Sequence, residues 1–555
     1  MAFIVALVGA FTTARADDLS FGEPNTQIMA TINVPQPGAH SSEPFPGANV
    51  VIYGPDQMRW TLQRSRLLKG IPPGEYTVEP GDVWWEGERY VALPGRTSFT
   101  LDYGDNFVLP LTYENAADVG VHGDPVRQHV RPGARSYHLD CVAGDDGAVG
   151  LGPESAWRSL GRLSGLVLEP GDRLLLRRGC SWVGPLRVPW QGSAEWPVVV
   201  GAYGEGPLPA IHDSSLNHVD ITGSHVIIEH LQAFTSAGSV PVEARCEDQP
   251  VAWRTGFTLQ HGAHHVTIRH SLSYGNTAGI HVTRGASHNR LVNNELRDNV
   301  IMSVNTDNGG QDDSGAWGLV LNGTDNVVAY NRFSGNNAWC SYDFGQEGAS
   351  IEVYEAQRNL IHHNVSIGDT TFTELGSSDY RDAEDNVFAY NVYVSHRRNS
   401  EFLVLRGAGA HFGPTPGTKA FHNTVYLTHP EETQGVVCYS GCGPHILELR
   451  NNIIWAEWKG IYVDQPIAES HNLFWRSDGR PLLQFFGTGN AMSSDSIIAN
   501  PLFRNPDEND FRLQQNSPAI QGGVRTSVSR LFERDVTGVL IDAGATPDMG
   551  AHRAN

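Results

Sequence analysis

The stretch GIHVT (279–283), RLVNNE (290–295), GLVLN (318–322), VVAYNR (327–332), SIEVY (350–354) and LIHHNV (360–365) decides the fold, because it says one thing three times. Each unit is a short strand of alternating apolar residues, a polar turn, and a second strand that runs into an asparagine. The unit continues on both sides. GFTLQ (256–260) with VTIRHS (266–271) precedes it; FTELG (372–376) with VFAYNV (387–392), FLVLR (402–406) with AFHNTV (420–425) and GVVCY (435–439) with LELRNN (447–452) follow. Strand-sized units recurring at roughly 20 to 35 residues, with variable insertions always at one joint, mark a solenoid of β-coils and not a closed sheet. The expected fold class is all-β: a parallel β-helix solenoid, right-handed by the resemblance given below, preceded by a small β-sandwich domain.

Alternation in the first strand of each unit assigns Phe257/Leu259, Ile280/Val282, Leu319/Leu321, Ile351/Val353, Leu403/Leu405 and Val436/Cys438 to the interior and their neighbours to the outside. The asparagines closing the second strands, Asn294, Asn331, Asn364, Asn391, Asn423, Asn452 and Asn472, recur at one point of the coil. Asparagine tolerates a left-handed corner and can bond its amide to the same residue one coil away, so this ladder is expected to be structural.

The formal charge of −22 over 555 residues excludes a nucleic-acid partner, which needs clustered basic residues. Residues 1–16, apolar from Ala2 to Phe11 and ending Ala14-Arg15-Ala16, read as a secretory signal without a basic start. That segment is too short to cross a bilayer and no other apolar run approaches the length needed, so the expected chain is secreted from a bacterium, inserts in no membrane and is a monomer. Six cysteines in an exported chain suggest disulfides, and six allow fifteen pairings, with buried free thiols as the alternative. Cys438 and Cys442 are close in sequence, Cys141 and Cys180 flank the first coil, and Cys246 and Cys340 remain.

Residues 25–114 read as the sandwich, with short strands punctuated by Pro-Gly turns. Its LLKGIPPGEYTV core (67–78) and closing FVLPLTY strand (107–113) resemble the prealbumin-like, carboxypeptidase-regulatory-like accessory domains of bacterial secreted proteins, which share no activity. Trp84-Trp85 would suit a sugar ring but is more often packing. Residues 115–136 read as a linker and 137–500 as the β-helix, with a short amphipathic helix at Pro153–Leu163 capping the open end. Residues 501–555 read as a terminal coil and tail. The entry region (YHLDCVAGDDGAVGLGPESAW, 137–157), the coils and NPLFRNPDENDFRLQQNSPAI (500–520) resemble the pectate-lyase-like superfamily of secreted β-helix proteins. That resemblance implies a fold; the superfamily includes lyases, hydrolases, epimerases and non-catalytic members.

Stacking the first strands in register gives an outward column Thr258, His281, Val320, Glu352, Glu374, Val404, Val437, Tyr462. A second column reads Gln260, Thr283, Asn322, Tyr354, Gly376, Arg406, Tyr439, Asp464. Adjacent strands lie ~4.8 Å apart, so Glu352 and Glu374 are expected side by side, and two such carboxyls do not both ionise readily. The pairing requires Thr373 and Leu375 to point inward, with Phe372 sharing the face of Glu374. Glu352, Glu374 and Arg406 are the expected catalytic residues; His281, Asn322, Tyr354, Asp343, Trp317 and Trp339 are expected to contact substrate, and no metal ligand set is assigned. The insertions at 305–317, 376–386 and 407–418 are expected to wall a cleft around them.

The preferred reading is a secreted enzyme cleaving a polysaccharide, a glycoside hydrolase with paired carboxylates. The first alternative is a lyase or epimerase on a uronate polymer with Ca²⁺, the resemblance implying a Lys or Arg base. Lys69, Lys419 and Lys459 are the only lysines and lie outside the relevant strands, which leaves Arg406 or His281 as base. Acidic residues within 378–386 could hold the cation. His281, His362 and His363 form no zinc signature. The second alternative is a non-catalytic adhesive solenoid.

Overall fold

The computed structural model describes residues 26–33, 47–55, 58–81, 83–85, 88–93, 97–101, 106–115, 131, 133–236, 245–310, 312–485, 492–528, 532, 534–538, 541 and 545–553. The signal reading at 1–16 and most of the linker reading lie outside these residues, as do the side chains of Trp84 and Trp85. The chain divides into two compact units, residues 1–127 and 128–555.

The first unit has a five-stranded and a four-stranded sheet. Ile28, Leu109 and Leu111 of one sheet and Val50, Ile52, Tyr76 and Val78 of the other belong to a single buried cluster. The Ile-Pro-Pro-Gly turn works as its residues require: Gly74 takes a φ of +143°, and the Tyr76 hydroxyl donates back to Pro72 O at 2.6 Å.

The second unit is a right-handed parallel β-helix. Its coils contribute to three long sheets: sheet A, 12 strands from Ser136–Leu139 to Ala468–Ser470; sheet B, 12 strands from Ser181–Val183 to Ile497–Ile498; and sheet C, 11 strands from Leu186–Val188 to Leu483–Phe485. The repeats read in the sequence are the strands of sheets C and A. Sheet B escaped notice because most of its strands, such as Leu272–Tyr274 and Glu295–Arg297, are three residues long and show no alternation. The insertions also differ from the expectation of one joint: 305–316 precedes a sheet C strand, whereas 377–386 and 407–417 follow one, so they flank both edges of sheet C.

The interior is continuous, with Leu259, Val282, Leu321, Val353, Leu375 and Leu405 in one cluster. The asparagine ladder forms at the corner between sheets A and B. Asn331 Nδ2 donates to Asn364 Oδ1, Asn364 to Asn391 and Asn391 to Asn423, each at 3.0 Å. The left-handed residue of that corner is not the ladder asparagine but its predecessor, as at Asn293, Tyr330, His363, Tyr390, His422 and His471. Division of labour explains this: the ladder residue needs its side chain inside, and the turn is made one residue earlier. His363 and Tyr390 thereby stack at 5.1 Å and Tyr390 and His422 at 4.7 Å.

The expected capping helix at Pro153–Leu163 is absent. Two 3₁₀ turns, Pro153–Ser155 and Leu160–Leu163, flank Trp157, which bridges to Leu139 in parallel and covers the first coil. Gly152, Pro153 and Gly161 disfavour a continuous helix, and the indole N–H groups of Trp182 and Trp190 tie the segment down through Arg158 O and Leu166 O, each at 2.8 Å. The C-terminal residues do more than end the stack. Phe503, Phe511, Met549 and Ala551 fold back over the outer face of sheet B against Val392, Tyr426 and Ile453. Disulfides join Cys141 to Cys180, Cys246 to Cys340, and Cys438 to Cys442.

Candidate active site

The outer face of sheet C carries the charged residues. Register pairs run Thr258–His281, His281–Val320, Val320–Glu352, Glu352–Glu374 and Glu374–Val404, the order read from the sequence. Thr373 is buried and Leu375 belongs to the interior cluster, so Glu374 faces outward. Phe372 does not share that face as expected. It too is fully buried in the interior, because the alternation breaks after Thr371 and two consecutive residues turn inward.

That break has a consequence for the site. Thr371 pairs with Glu401 on the next coil, so a third outward column reads Ala349, Thr371, Glu401, Gln434, Lys459. Glu401 was missed because strict period-two counting places it on the wrong face. Its carboxylate accepts from Gln434 Nε2 at 2.8 Å. Burial, then the neighbouring Glu374, push its pKa up to about 8. A fourth carboxyl, Glu347, comes from the hairpin strand Gly345–Glu347 in the insertion before Ala349–Tyr354. Burial and its nearness to Glu374, Glu352, Glu401 and Asp313 hold Glu347 well above the usual carboxyl range. Nothing in local sequence reveals which way an inserted hairpin folds, and here it folds over the sheet.

Burial, followed by Glu374, also raises Glu352, and Arg406 only partly offsets them. The Arg406 Nη2 donates to Glu374 Oε1, with 15% and 33% of the two side chains exposed, so the pair is recessed yet reachable from solvent. Burial works against the Arg406 charge, but Glu374, Tyr439 and Glu352 outweigh it and raise its pKa. Its Nη1 is buried without a hydrogen-bond partner among the described residues.

The remaining expected residues surround this group. Tyr354 lies beside Gly376, where a Cβ would come within 2.9 Å of its ring, and meets Phe412 of the 407–417 insertion edge-on at 6.1 Å. His281 Nε2 donates to Asn322 Oδ1 at 2.8 Å, and Asn322 Nδ2 donates to Tyr354 O at 2.9 Å, so Asn322 braces the two neighbouring strands. Burial lowers the His281 pKa, with the Asn322 bond opposing. Trp317 is 8% exposed and packs with Val320, Ala349 and Trp253 as the floor of the face; it presents no open ring. Trp339 lies on the hairpin strand Ala338–Ser341, its backbone N–H donating to Gln249 Oε1 at 3.0 Å. Asp343 accepts from the amides of Asp312 and Asp313 at 2.9 and 3.3 Å, joining the two insertions. Asp312, Asp313 and Asp343 come together at the insertions, away from residues 378–386, with one carboxylate oxygen of each within 4.8 Å of the others.

Lys459 corrects the sequence reading of the lysines. It opens the sheet C strand Lys459–Val463 and continues the Glu401–Gln434 column. With Trp458, Arg398, Arg476 and Arg480 it lines a pocket of about 630 Å³. Glu431 and Glu432, which pair with Arg398, also line that pocket, and it lies two strands from Glu401.

No family model matches the chain, and no curated protein matches it in sequence. Among solved structures it is similar to the GH136 lacto-N-biosidase of Eubacterium ramulus, at 17% identity over 66% of this chain and 67% of that one, TM-score 0.48. It is also similar to an alginate lyase from a Paenibacillus species (16%, 52% and 91%, TM-score 0.39) and to pectate lyase Pel9A (15%, 76% and 98%, TM-score 0.46). These likenesses supply no residue correspondence.

Proposed function

We propose that this chain is a secreted polysaccharide-cleaving glycoside hydrolase acting on the outer face of sheet C. The observation that carries the reading is the register pairing of Glu352 with Glu374, one raised towards its protonated form and the other ion-paired to Arg406. Two like groups with opposed environments can divide the roles of acid and nucleophile. Neighbouring strands suit the retaining separation of about 5 to 5.5 Å. In this scheme the Glu374 carboxylate attacks the anomeric carbon as the glycosidic C–O bond breaks, and Glu352 gives its proton to the departing oxygen. Water then attacks the same carbon, passing a proton to Glu352, and the ester bond to Glu374 breaks. Arg406 holds the Glu374 carboxylate in place through their ion pair. Exposed Tyr342, Phe344, Phe412 and Tyr439 offer apolar ring faces of the kind that pack on sugars.

The lyase reading is weaker on its base. Arg406 has a raised pKa, opposite to what proton abstraction requires, and His281 is committed to Asn322. The N-terminal unit is proposed as a prealbumin-like accessory module, which a separately expressed 25–114 fragment would test by polysaccharide pull-down. A polysaccharide panel tests the activity. New reducing ends without near-ultraviolet absorbance support hydrolysis. Absorbance from an unsaturated uronate makes it a lyase, and binding without cleavage across the panel favours the adhesive solenoid.

A further inference from the structure

At the corner that leads from sheet C into sheet A, the residue taking the left-handed conformation is His225, His265 and then His288 on three successive coils, with φ of 51°, 54° and 57°. Their rings stack, His225 on His265 at 4.7 Å and His265 on His288 at 5.4 Å. Stacking alone accounts for that column, which continues as the ion pair Asp325–Arg358 on the next two coils. It does not account for His264. Positions in register with His264 on the following coils are Ser287, Thr324 and Gln357, none of them aromatic. The His264 ring stands edge-on to His225 and to His265, with interplanar angles of 89° and 87°. Its Nδ1 meets the His265 Nδ1 at 2.9 Å.

We infer that His225, His264 and His265 form a binding site for a divalent transition-metal ion of the zinc type, clipping two adjacent coils together. One ring nitrogen from each lies within 4.8 Å of the other two. Two ring nitrogens 2.9 Å apart without a metal must share one proton, and an ion would replace it. Zinc–nitrogen bonds of about 2.0–2.1 Å in tetrahedral geometry set nitrogens ~3.3 Å apart, close to the His264–His265 spacing, and the His225 ring turns about its side-chain torsions to complete the set. The hydrogen bond from His225 N to His264 O at 3.1 Å already fixes the two coils at this point. Three nitrogen ligands with His265 exposed leave a fourth position to water. Imidazoles select such ions over calcium, which prefers oxygen. The site lies on coils before Trp317–Leu321 and is independent of the carboxylate chemistry.

The test uses the full chain without a polyhistidine tag, stripped with EDTA and dialysed. Zinc chloride titrated by calorimetry should give one saturable site per chain and raise the melting temperature. His264→Gln and His225→Gln should each weaken binding by more than about tenfold while the metal-free melting temperature stays unchanged. Calcium chloride in excess should not displace the zinc. Absence of a saturable site, wild-type affinity in either variant, or displacement by calcium would each overturn the assignment.

Discussion

Glu352 and Glu374 are register partners on adjacent parallel strands, and the cation that answers both, Arg406, comes from the next coil. Three consecutive coils therefore supply this charged group, and Glu347 and Glu401 crowd the same recess. Burial among like charges favours proton retention at Glu347, Glu352 and Glu401.

Glu352→Gln should lower turnover on the natural polysaccharide by about a thousandfold, and Glu374→Gln by at least as much. Neither should unfold the chain; Glu352→Gln should leave the melting temperature equal or higher, and Glu374→Gln, which breaks the ion pair to Arg406, should lower it modestly. Steady-state kinetics with a thermal melt of each variant checks this, and near-wild-type turnover in either would sink the carboxyl pair.

Arg406→Gln removes the group that lowers the Glu352 pKa. The high-pH limb of kcat/KM, where Glu352 loses its proton, should move to higher pH while the maximum rate falls. A pH–rate profile whose high-pH limb stays in place would remove Arg406 from the site.

Asp369 ends an asparagine ladder inside the coil, accepting from Asn336 N at 2.8 Å and from the Ser350 hydroxyl at 2.7 Å, and burial pushes its pKa up to about 6. The folded value lies above the unfolded one, near 4. The unfolded chain therefore loses the proton first, and this stabilisation is full below about pH 4 and lost as pH rises through about 6, at up to ~1.4 kcal/mol per unit. Urea unfolding of wild type and Asp369→Asn should show a stability difference that changes across that window. Parallel pH profiles would refute it.

Asn364 donates to Asn391 Oδ1 and to Val328 O and accepts from Asn331, all within the coil. Asn364→Ala strands these partners and should destabilise by about 3 kcal/mol. Asn322→Ala, on the outer face, should cost about 1 kcal/mol or less. Denaturant midpoints decide it; equal effects would mean the ladder holds no special share of stability.

Gly376→Ala places a Cβ where the Tyr354 ring lies on the outer face. The ring should shift, raising KM severalfold with an unchanged melting temperature. An unaltered KM would show that Tyr354 does not touch substrate.

Sequence alone determined the coil. Period-two alternation at Ile280/Val282 or Leu319/Leu321 has only one buried face to satisfy, and a repeated asparagine needs a repeated neighbour, so both report directly on stacking. Register followed from the same pattern, which is why the Glu352–Glu374 pair was legible. What only the tertiary structure decided lies where that period fails or the chain leaves the coil. Glu401 joined the site through the break after Thr371, Glu347 through a hairpin whose direction no local pattern encodes, and Lys459 through a column offset by the same break. Trp317, chosen for its ring, became floor because its neighbours Val320 and Trp253 are apolar. Alternation is a property of adjacent residues and survives in one dimension. The folding of an insertion over a face depends on partners tens of residues away, such as Asp313 with Asp343 or Cys246 with Cys340, and exists only once the coils are stacked.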